Sequence, residues 1–261
     1  MNGEAKPKEA KPKPEEGAVA AALRFWLPVI AIVLIVRTFL FQPFHIPSGS
    51  MMATLLVGDS LFVSKFSYGY SRYSLPFSPP LFSGRIFASL PRRGDIVVFQ
   101  SPHDEAVDLI KRIIGLPGDR IQMIRGHLYL NGEPIPRERI EDFVDTDVPG
   151  DAIRIHRWRE TLPGGVSYAT LDLVGSGLAP SGPLEDTQLY QVPPGHYFMM
   201  GDNRDDSTDS RVLDEVGYVP FENIVGRAEI IYFSVGNGAA PWQIWRWPTA
   251  LRLRRFFSVI R

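Results

Sequence analysis

The chain has 261 residues, 44% of them apolar, which allows one large domain or a core domain with an insertion. Its formal net charge of −1 gives no support for a nucleic-acid partner. Because the chain contains no cysteine, disulfide bridges, thiolate nucleophiles and cysteine metal sites are excluded. The 23 glycines and 23 prolines favour a turn-rich β protein over a helical bundle.

The N-terminal part of the chain predicts a tail followed by a membrane anchor. Residues 1–17 are a charge-balanced run that cannot bury a core, so they predict a disordered tail. Residues 18–41 are apolar over a length that spans roughly 30 Å of hydrocarbon, and Arg24 and Arg37 can reach the two interfaces. No small-x-small cleavage site follows, which favours an uncleaved transmembrane anchor over a signal peptide; a buried core helix is the other alternative. The lysines of the tail favour a cytoplasmic N-terminus, with residues from 42 onward on the outer face.

Short β-branched and aromatic runs follow the anchor, separated by Gly-Asp and Asn-Gly turns. They predict strands at 60–66, 95–100, 108–114, 120–124, 191–200 and 224–234, with a long loop at 67–93. The predicted fold is therefore mainly β: one N-terminal transmembrane helix, then an antiparallel β catalytic domain with an inserted smaller β subdomain.

The boundaries of these parts follow changes in composition. The β core is expected at 42–132 and 191–238, and the inserted subdomain, rich in Pro, Gly and acids with short strand candidates, at 133–190. The C-terminal segment 239–261 has no acid and interleaves tryptophan and phenylalanine with arginine. Such a segment suits the surface of an anionic bilayer, or it is a terminal helix packed on the protein with a solvated basic face. Nucleic acid is the weakest alternative.

Two serines, Ser48 and Ser50, flank a glycine soon after the anchor. A serine attacks only when a base accepts its proton, and arginine does not serve as one. Lys65 and Lys111 are the two lysines outside the tail. Each lies in a strand-like run among aliphatic residues, where burial would lower its pKa and suit it to general-base catalysis. A lysine that reaches water from a strand is the alternative reading, and periodicity does not separate the two lysines.

Other catalytic and metal patterns are weaker. His45 lies close to the serines, but neither it nor any other histidine has the context of a Ser-His-Asp triad. The loop 201–211 is acidic but lacks the central glycine and closing glutamate of a calcium-binding EF-hand loop. Its mixed Asp and Arg content predicts ion pairs within the loop. We therefore expect no metal and no cofactor.

Four stretches, in this order and spacing, carry a resemblance to a known family: PSGSMMATLLVGD at 47–59, GDIVVF at 94–99, KRIIGLPGD at 111–119 and GDNRDDSTDSR at 201–211. The chain resembles type I signal peptidase, a membrane-anchored serine protease of the Ser-Lys class, from the anchor to about Ser234. The resemblance implies removal of signal peptides from exported preproteins at the bacterial cytoplasmic membrane. It implies a single-pass enzyme whose partners are preproteins and membrane lipid, without nucleic acid or metal.

The resemblance also implies a role for each matching residue. Ser50 would be the nucleophile and Lys111 the general base, which decides between the two lysines. The hydroxyl of Ser48 and the backbone N–H of Ser50 would form the oxyanion hole, and Ser207 would orient Lys111. The implied supporting ion pairs are Asp209 with Arg211 and Arg112 with Asp202. The implied substrate pocket, for small residues at the first and third positions before the cut, is lined by Phe44, Ile46, Met51, Leu109 and Ile110.

Two positions depart from the family pattern. Ala53 stands where proline or serine is usual, and Asp206 stands where asparagine is common.

A self-cleaving Ser-Lys regulatory protease is the nearest alternative function, although the membrane anchor takes the place of its DNA-binding domain. A membrane-tethered β binding module is the non-enzymatic alternative.

Overall fold

The structure is a computed structural model that describes residues 18–147, 152–236, 238 and 242–261. The predicted tail 1–17 lies outside the described residues. A helix, α1 (Ala18–Ile35), continues as a π-helical turn (Val36–Leu40). Together, Val19–Leu40 is long and apolar enough to cross a membrane, with a mean hydropathy of 2.5, and none of the residues in its most apolar stretch is buried in the protein. This exposure argues against a buried core helix, because such a helix would be covered by other elements.

The regular secondary structure in the rest of the described chain is mainly β-strand. The strands are β1 (Phe41–His45), β2 (Asp59–Ser64), β3 (Ile96–Gln100), β4 (Asp108–Gly115), β5 (Arg120–Ile124), β6 (His127–Leu130), β7 (Glu133–Pro134), β8 (Arg137–Asp145), β9 (Ile153–Thr161), β10 (Ser167–Asp172), β11 (Tyr190–Gln191), β12 (His196–Met200), β13 (Val219–Pro220), β14 (Ile224–Ser234) and β15 (Ser258–Val259). The short helices are α2 (Trp247–Ala250) and the 3-10 turns Arg72–Ser74, Phe221–Asn223, Ile244–Arg246 and Leu253–Arg255.

An eight-stranded sheet forms the centre of the protein. Its strand order is β1-β2-β14-β3-β4-β12-β13, with β15 paired to β14, and the described pairings are antiparallel. The strand β4 lies between β3 and β12, where Val97 and Ile96 are the partners of Lys111 and Arg112. Both basic residues are therefore held inside the sheet, away from its edges.

Two smaller sheets flank this central one. One has the order β10-β9-β8, and the other has the order β11-β5-β6-β7. The strands β8 and β9 have nine residues each, longer than the sequence indicates for this region. Their side chains are mostly exposed or half-buried, so they show little of the apolar alternation that marks a half-buried strand. The division into a core and an insertion at 133–190 stays a prediction.

The prediction of a mainly β, antiparallel fold behind one N-terminal helix is confirmed, with local differences. The predicted anchor runs through residue 41, whereas Phe41 already pairs with Ser64 in the central sheet. The predicted strand 191–200 is divided between β11 and β12, because the Pro-Pro-Gly sequence at 193–195 interrupts it. Within the predicted loop 67–93 the structure has one 3-10 turn and a single bridge between Tyr70 and Ile86.

Candidate active site

Ser50 and Lys111 meet at a buried position in the protein. Lys111 Nζ lies 2.6 Å from Ser50 Oγ, within hydrogen-bonding distance. The two residues are 7% and 3% exposed. Burial lowers the pKa of Lys111 below its ordinary value of 10.5, and the charges of Asp209 and Asp202 oppose this shift. The lysine is therefore closer to the neutral form that can accept a proton than a lysine in water.

Asn203 holds the backbone on either side of the Ser50 side chain. Its backbone N–H donates to the carbonyl of Ser50 over 3.1 Å, and its Nδ2 donates to the carbonyl of Gly49 over 3.1 Å. Asn203 is 2% exposed, so water competes little for these bonds. The two contacts fix the direction of both peptide groups next to the serine.

Gly201, at the start of the loop 201–211, lies against both Ser207 and the backbone of Ser50. A Cβ atom at this position would overlap both Ser207 Oγ and the backbone carbonyl of Ser50. The absence of a side chain therefore allows Gly201 to fit between these two residues. Ser207 Oγ donates to Asp209 Oδ2 over 2.8 Å, and no hydrogen bond among the described residues joins it to Lys111.

Asp209 and Arg211 form a fully buried pair below this contact. Arg211 Nε donates to Asp209 Oδ1 over 2.8 Å, and its NH2 donates to Oδ2 over 2.9 Å. The backbone N–H of Gly201 also donates to this carboxylate, over 3.0 Å. Although burial opposes it, the Arg211 guanidinium and these donors keep the pKa of Asp209 below its ordinary range. The carboxylate therefore stays charged near Lys111.

Arg112 and Asp202 form a second buried pair. Arg112 Nε and NH2 each donate to one carboxylate oxygen of Asp202 over 2.8 Å. Thr54, four residues after Ser50, donates its hydroxyl to Asp202 Oδ2 over 2.5 Å. Arg112 NH1 reaches the backbone carbonyl of Gly94 over 2.8 Å. The pair thus joins three segments: the loop that contains Ser50 and Thr54, the strand β4 and the loop 201–211.

A third cluster, which the sequence reasoning missed, links the three-stranded sheet to the site. Arg204 NH1 and NH2 bind the two carboxylate oxygens of Glu160, and Tyr168 donates to Glu160 Oε2 over 2.8 Å. Leu171 and Asn203 form a parallel bridge that adds backbone contacts. Glu160 lies 44 residues before Arg204 in the sequence, so no local pattern identifies this pair.

The predicted pocket residues fall into two groups. Ile46 and Met51 are buried in one apolar cluster, and Phe44 and Ile110 pack against it from partly exposed positions. Leu109 packs against a different cluster, which contains Val97, Phe99, Tyr197 and Met199. Adjacent strand residues point to opposite faces of the sheet, which explains why Leu109 and Ile110 separate.

The other predicted residues make no hydrogen bond to the Ser50 hydroxyl among the described residues. Ser48 is exposed and lies two residues before Ser50. Lys65 is 3% exposed, but its Nζ donates to the backbone carbonyl of Ser74 over 2.8 Å. His45 lies 3.2 Å from Ser60 through its Nδ1 atom. Burial alone does not distinguish Lys65 from Lys111; the contact with Ser50 does.

Comparison with known proteins shows the family to which the chain is similar. The family described as signal peptidase, peptidase S26, matches residues 19–233. A signal peptidase I of Rickettsia typhi is 46% identical over 209 residues, covering 79% of this chain and 77% of the relative. A signal peptidase I of Rickettsia massiliae is 43% identical over 241 residues, covering 88% of each chain. A crystal structure of a signal peptidase I from Enterococcus faecalis is 25% identical and covers 53% of this chain and 97% of that one, with a TM-score of 0.32.

The match extends from the apolar helix to the last long strand and includes the loops that bring Ser50 and Lys111 together. The chain belongs to the signal peptidase family, peptidase S26, and is a membrane-anchored bacterial serine endopeptidase that removes signal peptides from preproteins.

Proposed function

We propose that Ser50 is the nucleophile of this peptidase and that Lys111 is its general base. The observation that carries the proposal is the 2.6 Å contact between Lys111 Nζ and Ser50 Oγ in a buried setting. A lysine in water is protonated at neutral pH and cannot accept a proton. Burial shifts Lys111 toward the neutral amine, and this supports its role as a base.

The reaction then has two halves. Neutral Lys111 accepts the Ser50 proton while Oγ bonds to the carbonyl carbon of the scissile peptide, and the oxygen of that carbonyl takes the negative charge. The protonated lysine gives its proton to the departing amine, which becomes the N-terminus of the mature protein. Lys111, neutral again, accepts a proton from water. The hydroxide bonds to the ester carbonyl carbon, the bond from that carbon to Ser50 Oγ breaks, and Lys111 returns its proton to Oγ. The signal peptide leaves as a carboxylic acid and the serine is regenerated.

The oxyanion is stabilised, in our proposal, by the backbone N–H of Ser50 and the hydroxyl of Ser48. Neither group has a hydrogen-bond partner among the described residues, so both are available to a substrate. Asn203 engages the carbonyl of Ser50 and so restricts the orientation of this part of the backbone. Each donor of this kind lowers the barrier by about 3 kcal/mol.

We assign Ser207 the lysine-orienting role. Its proton is donated to Asp209, which leaves the oxygen free to accept a hydrogen bond from Lys111. Gly201 lies close to both Ser207 and the Ser50 backbone, which supports this placement. The pairs Asp209–Arg211 and Arg112–Asp202 would hold the two loops against β4 while Lys111 changes charge.

We propose that the pocket for small substrate residues is formed by Phe44, Ile46, Met51 and Ile110. Ile46 and Met51 are almost fully buried and would form its floor, whereas Phe44 and Ile110 are partly exposed and would form its rim. A shallow apolar depression with such walls admits alanine better than a long side chain. Leu109 has no part in it, because it packs on the other face.

The proposed orientation places the catalytic domain on the outer face of the cytoplasmic membrane. The lysine-rich tail favours a cytoplasmic N-terminus. Ser50 follows Phe41 by nine residues, which limits its distance from the end of the span to roughly 30 Å. Exposed aromatic side chains in the C-terminal segment support contact with lipid, since Trp242, Trp245 and Phe257 are each more than two-thirds exposed. Part of this segment, Ser258–Val259, pairs with β14 and so keeps it attached to the central sheet.

An acyl-enzyme can be detected with a nucleophile that competes with water. The purified chain in detergent micelles would cleave a preprotein in the presence of hydroxylamine, and the released signal peptide would be analysed by mass spectrometry. An ester at Ser50 predicts that part of the signal peptide is released as the hydroxamate. Release of the free carboxylate alone at every hydroxylamine concentration would indicate direct attack by water and contradict the assignment.

A further inference from the structure

A cavity separate from the Ser50 site lies between the end of the membrane span and the catalytic domain. Its volume is about 750 Å³. It is lined by Leu34 and Arg37 of the span, by Lys65 after β2, and by residues 75–78 of the following loop. The span ends at Leu40, so Arg37 lies about 5 Å before that end at 1.5 Å per residue. In a bilayer this depth is the boundary between hydrocarbon and headgroups.

Two cations line this cavity without a carboxylate bound to either. Arg37 is exposed and makes no ion pair among the described residues, and Lys65 Nζ reaches only the backbone carbonyl of Ser74. The cavity also contains Glu105, but that carboxylate is engaged by Arg72 and by the hydroxyl of Tyr73. Burial and the nearby charge of Arg37 lower the pKa of Lys65 to about 8, against the attraction of Asp108. An anion between the two cations would relieve this repulsion.

The remaining walls suit the parts of a lipid on either side of its phosphate. Leu34, one turn deeper in the span, and the apolar residues Leu75, Pro76 and Phe77 offer a surface for acyl chains. Gln100 Oε1 also lines the cavity, is buried without a hydrogen-bond partner among the described residues and can accept from a headgroup hydroxyl or ammonium. The cavity therefore combines apolar, cationic and accepting groups.

We propose that this cavity binds the phosphate of a membrane phospholipid, with Arg37 and Lys65 as its two cationic ligands. A phospholipid held there would fix the catalytic domain against the end of its own anchor. The Ser50 site does not take part, so hydrolysis of a soluble peptide in detergent is expected to be independent of this lipid.

Native mass spectrometry of the whole chain tests the proposal. The chain, purified in detergent and supplied with phosphatidylglycerol, is compared with Arg37→Gln, Lys65→Met and the control Arg92→Gln, which changes an exposed arginine outside the cavity. We expect one tightly retained phospholipid on the wild type and on Arg92→Gln. The apparent affinity should fall about tenfold or more in Arg37→Gln and in Lys65→Met, because each loses a charge-assisted hydrogen bond. Equal retention by all four proteins would overturn the proposal.

Two further measurements distinguish a bound phospholipid from other occupants of the cavity. Thermal unfolding with inorganic phosphate in place of lipid should give little stabilisation; stabilisation equal to that by phosphatidylglycerol would mean that the site takes a free anion. A photo-reactive benzoylphenylalanine in place of the fully exposed Phe77 should crosslink to phospholipid in vesicles. Crosslinking to the signal peptide of a bound preprotein instead would identify the cavity as a substrate groove and contradict the lipid assignment. Since Arg37 is exposed, Arg37→Gln keeps the test valid if Lys65→Met is poorly folded.

Discussion

Arg112 lies over the ring of Tyr168, with its Cζ atom 4.2 Å from the ring centroid. This contact joins the strand that carries Lys111 to the three-stranded sheet. The same guanidinium donates two hydrogen bonds to the carboxylate of Asp202. The geometry beside Ser50 therefore depends on parts of the chain that are distant in sequence.

The buried pair Arg112–Asp202 should contribute far more to stability than an exposed pair of the same chemistry. Its side chains are 0% and 1% exposed, so Asp202→Ala leaves a buried guanidinium without its partner. We expect a loss of about 3–5 kcal/mol in the free energy of unfolding. The control is Glu138→Ala, in the pair Arg159–Glu138 with exposures of 51% and 70%; it should cost at most about 1 kcal/mol. Chemical denaturation in detergent measures both, and equal losses would contradict this account of the pair.

Asn203 should matter for catalysis beyond its contribution to stability. Asn203→Ala removes the Nδ2 donor to the Gly49 carbonyl and should lower kcat/KM about tenfold, since the backbone beside the nucleophile is less well fixed. Asn223→Ala is a matched control, because Asn223 is also buried and donates to a backbone carbonyl, that of Gln100, over 3.0 Å. It should reduce stability but leave kcat/KM unchanged. A similar loss of activity in both variants would show that Asn203 acts only through stability.

Asp206 should shift the acidic limb of the pH profile, because its charge adds to the effects of burial and of the other charges on the pKa of Lys111. The charges that act on Lys111 are those of Asp209, Asp202, Arg211 and Asp206, and the Asp206 carboxylate raises the pKa of Lys111. The general base is active when neutral, so kcat/KM rises with pH through this pKa. Removing the negative charge in Asp206→Asn lowers the pKa, and the limb should move to lower pH. The exposed Asp214→Asn should leave it in place; a limb at the same pH in Asp206→Asn would contradict the assignment.

The buried lysine should reduce the stability of the enzyme. Its pKa is below 10.5 in the folded protein, while the unfolded chain binds the proton up to that pH. Between the folded and unfolded values the unfolded state holds more protons, so stability rises with pH, and the full cost remains at lower pH. Lys111→Met should therefore melt higher than the wild type at neutral pH, by about 2–4 °C for each kcal/mol gained. The difference should shrink as pH approaches 10.5; a lower melting temperature for Lys111→Met at all pH values would contradict this.

The sequence predicted the residues with local signals well. The apolar anchor, the antiparallel β character and the loop 201–211 could be read from composition, alternation and motif. The two lysines show the limit of such reading, because Lys65 and Lys111 both lie among aliphatic residues and both are 3% exposed. Which lysine meets Ser50 depends on long-range strand pairing, and the family resemblance supplied that answer before the structure did.

The residues that the sequence could not indicate act through contacts between distant segments. Asn203 lies inside a recognised motif, yet its bonds to Gly49 and Ser50 depend on how two loops meet. Glu160 lies in a strand of mixed charge whose alternation gives no sign that it is 1% exposed and paired with Arg204. Residue type alone did not distinguish these groups from the surface charges around them.

The most direct test of the account is preprotein cleavage by Lys111→Ala and Lys65→Ala, measured against the wild type and Ser50→Ala under the same conditions. The contact between Lys111 and Ser50 predicts that Lys111→Ala and Ser50→Ala each lose activity by about a thousandfold or more, while Lys65→Ala stays near the wild-type rate. Cleavage at the wild-type rate by Lys111→Ala or by Ser50→Ala would contradict the proposed nucleophile and base.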